Sequence, residues 1–208
     1  MPGIVRAEEP FAEFVEQLRR RNYHDTALEY LEELSKQQDL AAAFAETLDL
    51  ERGITYRTQA SASRIAEDRE QSLAQAELAL KAFISKHSDH PQAPFANSEL
   101  GQLLFERARS LQWDSEAASN ANRKPELQQQ ARNLIEQAKA IYQTAHDQYK
   151  YQYDGFPKFI DQSEDPDGFR LRLEAEVKYL KAWFSLTRCT YERGQTFDMG
   201  SKERNETL

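Results

Sequence analysis

Residues 90–101 read His90-Pro91-Gln92-Ala93-Pro94-Phe95-Ala96-Asn97-Ser98-Glu99-Leu100-Gly101, and the stretch around them, Ala79 to Ala138, decides the fold. Pro91 cannot continue a helical ladder and pushes His90 out of the helical region, so one helix ends just before it. Downstream, Phe95, Leu100, Leu103, Leu104, Ala108 and Leu111 recur at steps of three and four, the mark of an amphipathic helix, with Gly101 as a notch in it. Upstream, Leu73, Ala76, Leu80, Phe83 and Ile84 mark the helix that ends. The stretch is a joint between two helices, and the remaining chain lays out as helix pairs on either side.

Composition agrees with that layout. The 208 residues hold only 7 Gly and 7 Pro, while Ala, Leu, Gln, Glu, Lys and Arg dominate. Those six lose little side-chain freedom in a helix and offer the backbone no competing hydrogen bond. Charged residues make up 30% and the apolar set 39%, which suits thin helical layers with much wetted surface. A net charge of −8 argues against nucleic acid as a partner, since duplex binding needs a basic face that displaces counterions. The triplet Arg19-Arg20-Arg21 reads as a solvated helix end beside a negative dipole. Cys189 is alone, which excludes an intrachain disulfide and fits a small buried residue better than a reactive thiol. Met1 to Pro10 lacks the apolar run of an export signal, and no stretch reaches membrane-spanning length. The expectation is a soluble chain, cytoplasmic as it stands and exported if a leader has been removed.

Taken in order, the first pair spans about 10–36. Phe11, Phe14, Val15 and Leu18 form one face, and after a break at Asn22-Tyr23 a helix capped by Asp25 carries Ala27, Leu28, Leu31 and Leu34. A second pair spans about 39–88, starting at an Asp39 cap, with a join near 60–64 at Ser61-Ala62-Ser63. The third spans about 92–152. Its second helix, from Pro125, repeats Leu127, Ala131, Leu134, Ile135, Ala138, Ile141, Tyr142, Ala145 and Tyr149. A loop follows through Gly155, Pro157 and Pro166, and then an unpaired last helix at about 169–193. One stripe there holds Leu173, Val177, Leu180, Phe184 and Tyr191, and a second holds Tyr179, Trp183 and Leu186. An arc that wide asks for neighbours on two sides. Gly194 supplies a stop, and 195–208 read as a polar tail or the truncated start of a next helix. The fold class is therefore all-α, a stack of antiparallel helix pairs with about seven helices in one domain at 8–194. The missing partner of the last helix predicts a longer chain, with contacts to further repeats of its own, or a partner over that helix.

Internal spacing sharpens this. Ala79-x3-Phe83 is followed by Pro91, and six residues beyond that proline comes Asn97-x2-Leu100-Gly101-x2-Leu104. Ala131-x3-Ile135-x2-Ala138 supplies the matching second helix, and Ala27-x3-Leu31 echoes it near the start. In this register the chain resembles the tetratricopeptide-repeat family, and looks most like the N-terminal part of large bacterial proteins of that kind. The motif-level likeness covers about 79–138, and the helix-pair rhythm about 10–194. Asn97 and Leu104 depart from the family's aromatic and tyrosine, and roughly 18 extra residues separate the helices of the third pair. The helices also exceed what the family's repeat of about 34 residues allows. The resemblance implies a right-handed superhelix that works as a scaffold or adaptor for a protein or peptide, with no catalysis and no cofactor. Its structural motif positions here are Ala79, Phe83, Pro91, Asn97, Leu100, Gly101, Leu104, Ala131, Ile135 and Ala138.

Two clusters invite metal chemistry. His87-Ser88-Asp89-His90 places two histidines three apart, but no third or fourth zinc ligand accompanies them and Pro91 explains the stretch as a turn. Ser163-Glu164-Asp165-Pro166-Asp167-Gly168 through Glu174 resembles a calcium loop, yet Ser163 stands at its first position and Arg170 at its usual apolar one. Neither is taken as a metal site. Glycine loops for phosphate, dinucleotide fingerprints, serine elbows and zinc-helix histidine pairs do not occur. His24 and His146 read as surface or packing residues, and Trp113 and Trp183 as gap fillers between helices. The competing reading is an all-α ligand-binding or enzymatic domain with its site in the concave groove; a third is a structural spacer in an exported protein.

Overall fold

The computed structural model describes residues 11–208, so the expected start of the domain at 8 and of the first pair at about 10 lies outside the described residues. Among the described residues there are nine α-helices and no strand, two helices more than the sequence suggests. The additions are short. The chain divides into two compact units, one ending at His90 and the other beginning at Pro91, each with its own core.

The first unit holds α1 (Phe11–Arg20), α2 (His24–Ser35), α3 (Ala42–Ala45), α4 (Leu48–Ala62) and α5 (Ala66–Lys86). The α1–α2 turn is closed by Asn22 at φ 60, a left-handed conformation that asparagine tolerates better than most residues. Neither expected aspartate cap forms. Asp25 lies inside the first turn of α2 and accepts instead from Gln59 Nε2 at 2.7 Å, and α3 starts at Ala42 without a side-chain cap, leaving Asp39 outside it. Val15, Ala27 and Leu31 form a buried cluster, with Leu18, Tyr30, Phe44 and Leu48 against it. Helix α4 runs antiparallel to α5: Lys86 pairs with Asp49 at one end, and Ser72 donates to Gln59 at the other. Between them Gly53 lets the backbones close, because a Cβ there would sit 2.7 Å from Leu80 Cγ.

Arginine 19 departs from the solvated reading of its triplet. Its guanidinium reaches Glu51 Oε2 at 2.5 Å and Thr55 Oγ1 at 3.3 Å, with the Arg19 and Glu51 side chains 11% and 10% exposed. Arg20 and Arg21 stay at the surface.

The second unit holds α6 (Ala93–Glu116), a 3₁₀ turn (Ala118–Arg123), α7 (Lys124–Asp154), α8 (Pro166–Gln195) and α9 (Lys202–Thr207). The extra residues between the helices of the third pair are themselves helical: α6 continues to Glu116, and the 3₁₀ turn leads directly into α7. Helices α6 and α7 are antiparallel, shown by Asn97–Gln148 near one end and Lys124–Glu116 at the other. Helix α8 returns along α7, with Arg172 near Tyr153 and Arg193 paired to Glu136. Its buried row is Ala175, Ala182 and Cys189, one small residue every seven, which lets α7 and α8 approach closely.

Residues 195–208 are not wholly a tail. Helix α9 folds back: Arg204 donates to the Phe197 carbonyl and to Gln195 Oε1, and Leu208 lies where a Gly194 Cβ would fall, at 2.7 Å. Gly194 therefore admits a close contact, and α8 runs past it to Gln195.

Candidate functional site

The ten repeat-motif positions fall in both units. Ala79 and Phe83 lie on α5, half-buried and fully buried respectively, and His87 and His90 pack their rings on Phe83 at 5.3 and 5.5 Å. Pro91 is exposed at the start of the second unit. Asn97, Leu100, Gly101 and Leu104 on α6 and Ala131, Ile135 and Ala138 on α7 are all buried. Gly101 faces the Tyr142 ring, which an added Cβ would meet at 3.0 Å. Asn97 earns its burial as a polar residue by donating to Gln148 Oε1 at 3.1 Å. Pro91 aside, these positions lie in the packing of helix on helix.

A groove of about 530 Å³ opens over this packing, walled by α6 and α8 with α7 residues between. Phe95, Ser98 and Gln102 come from α6, Tyr142 and Tyr149 from α7, and Lys178 and Lys181 from α8. The Tyr142 hydroxyl donates to Gln102 Oε1 at 3.0 Å. Burial raises the pKa of both phenols further above neutrality. The lining contains no histidine or cysteine. Two ammonium groups, the Glu99 carboxylate, buried phenols and amides line it, a set suited to holding a peptide backbone or an anion on the lysine side. The lysines carry no signal in the sequence because they sit on the flank of α8 between its large apolar stripe and its row of small residues, where charge normally means solvent.

A second cleft, of about 670 Å³, lies in the first unit among His24, Asp25, Tyr56, Gln59 and Asp68. His24 is buried, and loss of solvation holds it below the ordinary histidine value despite the opposing pull of Asp25. Within it Gln59 bridges Asp25 and Ser72, donating to the first and accepting from the second.

The loop resembling a calcium site spends its oxygens internally. Asp161 accepts from the Ser163 amide and hydroxyl, Asp165 caps α8 by accepting from Gly168 N at 2.8 Å, and Asp167 and Glu174 both pair with Arg170. Among the described residues no three His, Cys, Asp or Glu side chains gather to hold a metal ion. Cys189 is fully buried and its thiol is pushed up to about 12 by desolvation, which makes it inert in the folded chain.

The apolar stripes of α8 are placed against expectation. The large stripe, Leu173, Val177, Leu180, Phe184 and Tyr191, is exposed, with Leu180 at 44% and Phe184 at 64%. At 100° per residue it lies opposite the buried Ala175–Ala182–Cys189 row. Trp113 and Trp183 are exposed too and fill no gap between helices; Arg109 covers the first at 5.2 Å and Tyr179 stacks on the second. No described helix is long and apolar enough to cross a membrane. Comparison of the chain with protein-family models, curated proteins and solved structures finds no match to any of them.

Proposed function

We propose that the chain is a non-catalytic scaffold for protein–protein interaction, built from tetratricopeptide-like helix pairs. One observation carries the reading: α8 is apolar on two opposite faces and only the small-residue face is covered within the chain. A contiguous row of Leu, Val, Phe and Tyr left in water is costly, and such patches mark surfaces that meet another protein. The test places a photo-crosslinking residue at Phe184, with Tyr151 on α7, also strongly exposed, as the control position. The expected outcome is protein adducts at 184 that exceed those at 151 and disappear when Leu180→Glu is added. Equal labelling at both positions overturns the reading.

The groove favours a second reading, an anion- or peptide-binding site between α6 and α8. Lys178 and Lys181 supply donors on the α8 wall opposite apolar Phe95, with Glu99 as the carboxylate of the same lining. Acidic peptides should raise the melting temperature of the wild-type chain and not that of Lys178→Glu/Lys181→Glu. No shift in either chain removes this reading.

A further inference from the structure

We infer that the exposed stripe of α8 docks on the same stripe of a second copy of this chain, the two helices running antiparallel. The inference rests on the scaffold reading and names its occupant. The stripe recurs at steps of four and three from Leu173 through Val177, Leu180, Phe184 and Thr187 to Tyr191, the seam spacing of a two-helix coiled coil. Its row of small buried residues lies at the outer position of that heptad, so packing on α7 leaves the seam open.

Charge selects the occupant and its direction. Along one flank of the seam, seven residues apart, stand Asp167, Glu174, Lys181 and Arg188: two acidic residues and then two basic. Turn a second α8 end for end about a two-fold axis between Val177 and Leu180. Val177 then faces the other copy's Leu180, and Leu173 faces its Phe184. Glu174 meets Lys181 and Asp167 meets Arg188, each pair occurring twice. A parallel copy forms neither pair, because that flank then faces Phe169, Glu176 and Trp183 instead. A two-fold interface is by nature self-complementary, which is what a row reading minus, minus, plus, plus provides. The inner pair, Glu174 with Lys181, is open to a second copy, and the outer pair forms when Arg188 leaves the Phe105 ring for Asp167. Asp167 and Glu174 pair only with Arg170 of their own helix, in exposed contacts worth little, and Arg188 lies over the Phe105 ring at 4.5 Å.

Sedimentation equilibrium of the full chain over a range of concentrations tests this. The wild type should give a dimer mass and a melting temperature that rises with protein concentration, and Leu180→Glu a monomer with unchanged helicity whose melting temperature does not depend on concentration. Glu174→Lys and Lys181→Glu should each weaken dimerisation by about tenfold or more, through repulsion at two symmetry-related contacts. The double variant, Glu174→Lys with Lys181→Glu, should restore the dimer. A parallel pair would not be restored, because Lys181→Glu would still face Glu176. A monomer at every concentration overturns the inference, as does a dimer indifferent to Leu180→Glu or a double variant without rescue. If the chain is monomeric while position 184 still crosslinks another protein, the scaffold reading stands and only the occupant is wrong.

Discussion

Arg19 and Glu51 form an ion pair almost out of reach of water, joining α1 to α4. Removing one member leaves the other charge buried with no counterion, which costs far more than the pair itself contributes. Arg19→Ala should therefore lower unfolding stability by about 3 kcal/mol or more in urea titration, whereas Arg20→Ala, at an exposed pair with Glu16, should change it by about 0.5 kcal/mol or less. His24 gives a second outcome at this scale. Burial lowers its pKa in the folded chain, while the unfolded chain takes up a proton near the ordinary pKa of about 6.5. Stability is thus lost as pH falls below that value, and the loss levels off once the folded state also protonates. Melting temperatures measured on either side of pH 6.5 should show this drop, and His24→Gln should shrink it. Neither residue is legible in the sequence. An arginine among three and a histidine beside an aspartate look like surface charge until a distant helix places them.

At the scale of the element, periodicity reveals α2, α5, α6 and α7 and their inner faces, because one apolar stripe has one place to go. The join at 60–64 is legible as well, falling at the break between α4 and α5. Helix α8 shows where that logic ends. Leu173, Val177, Leu180 and Phe184 look like core by size, yet Ala175, Ala182 and Cys189 are the residues against α7. Close helix approach rewards small side chains, and a hydrophobic pattern does not rank closeness against bulk. The groove lysines follow the same rule, since their meaning depends on which α8 face turns inward. The assignment predicts opposite responses on the two faces. Ala182→Leu overpacks the α7–α8 contact and should destabilise by about 1–3 kcal/mol. Leu180→Gln, on the open face, should stay within about 0.5 kcal/mol of wild type when read under monomeric conditions. Thermal unfolding of the two variants side by side checks both.

Across the whole molecule, the sequence suggests one domain at 8–194, whereas contacts cluster into units that divide between His90 and Pro91. The joint that organises the sequence is also the place where the cores separate, and each core can be probed by its own residue. Gly53 belongs to the first unit: Gly53→Ala drives a Cβ to 2.7 Å from Leu80 Cγ, an atom held in a fully buried side chain. The strain outweighs the gain in helix propensity of about 1 kcal/mol from replacing glycine. Cys189 belongs to the second unit and is the only thiol in the chain, buried in the α7–α8 contact. Its labelling on heating reports when that contact opens, while circular dichroism reports both units together. In Gly53→Ala the dichroism transition should begin at a lower temperature than in the wild type. The temperature at which Cys189 becomes reactive should stay where it was, because the residues that bury it lie in the other core. If the labelling temperature falls in step with the dichroism, the two cores unfold as one.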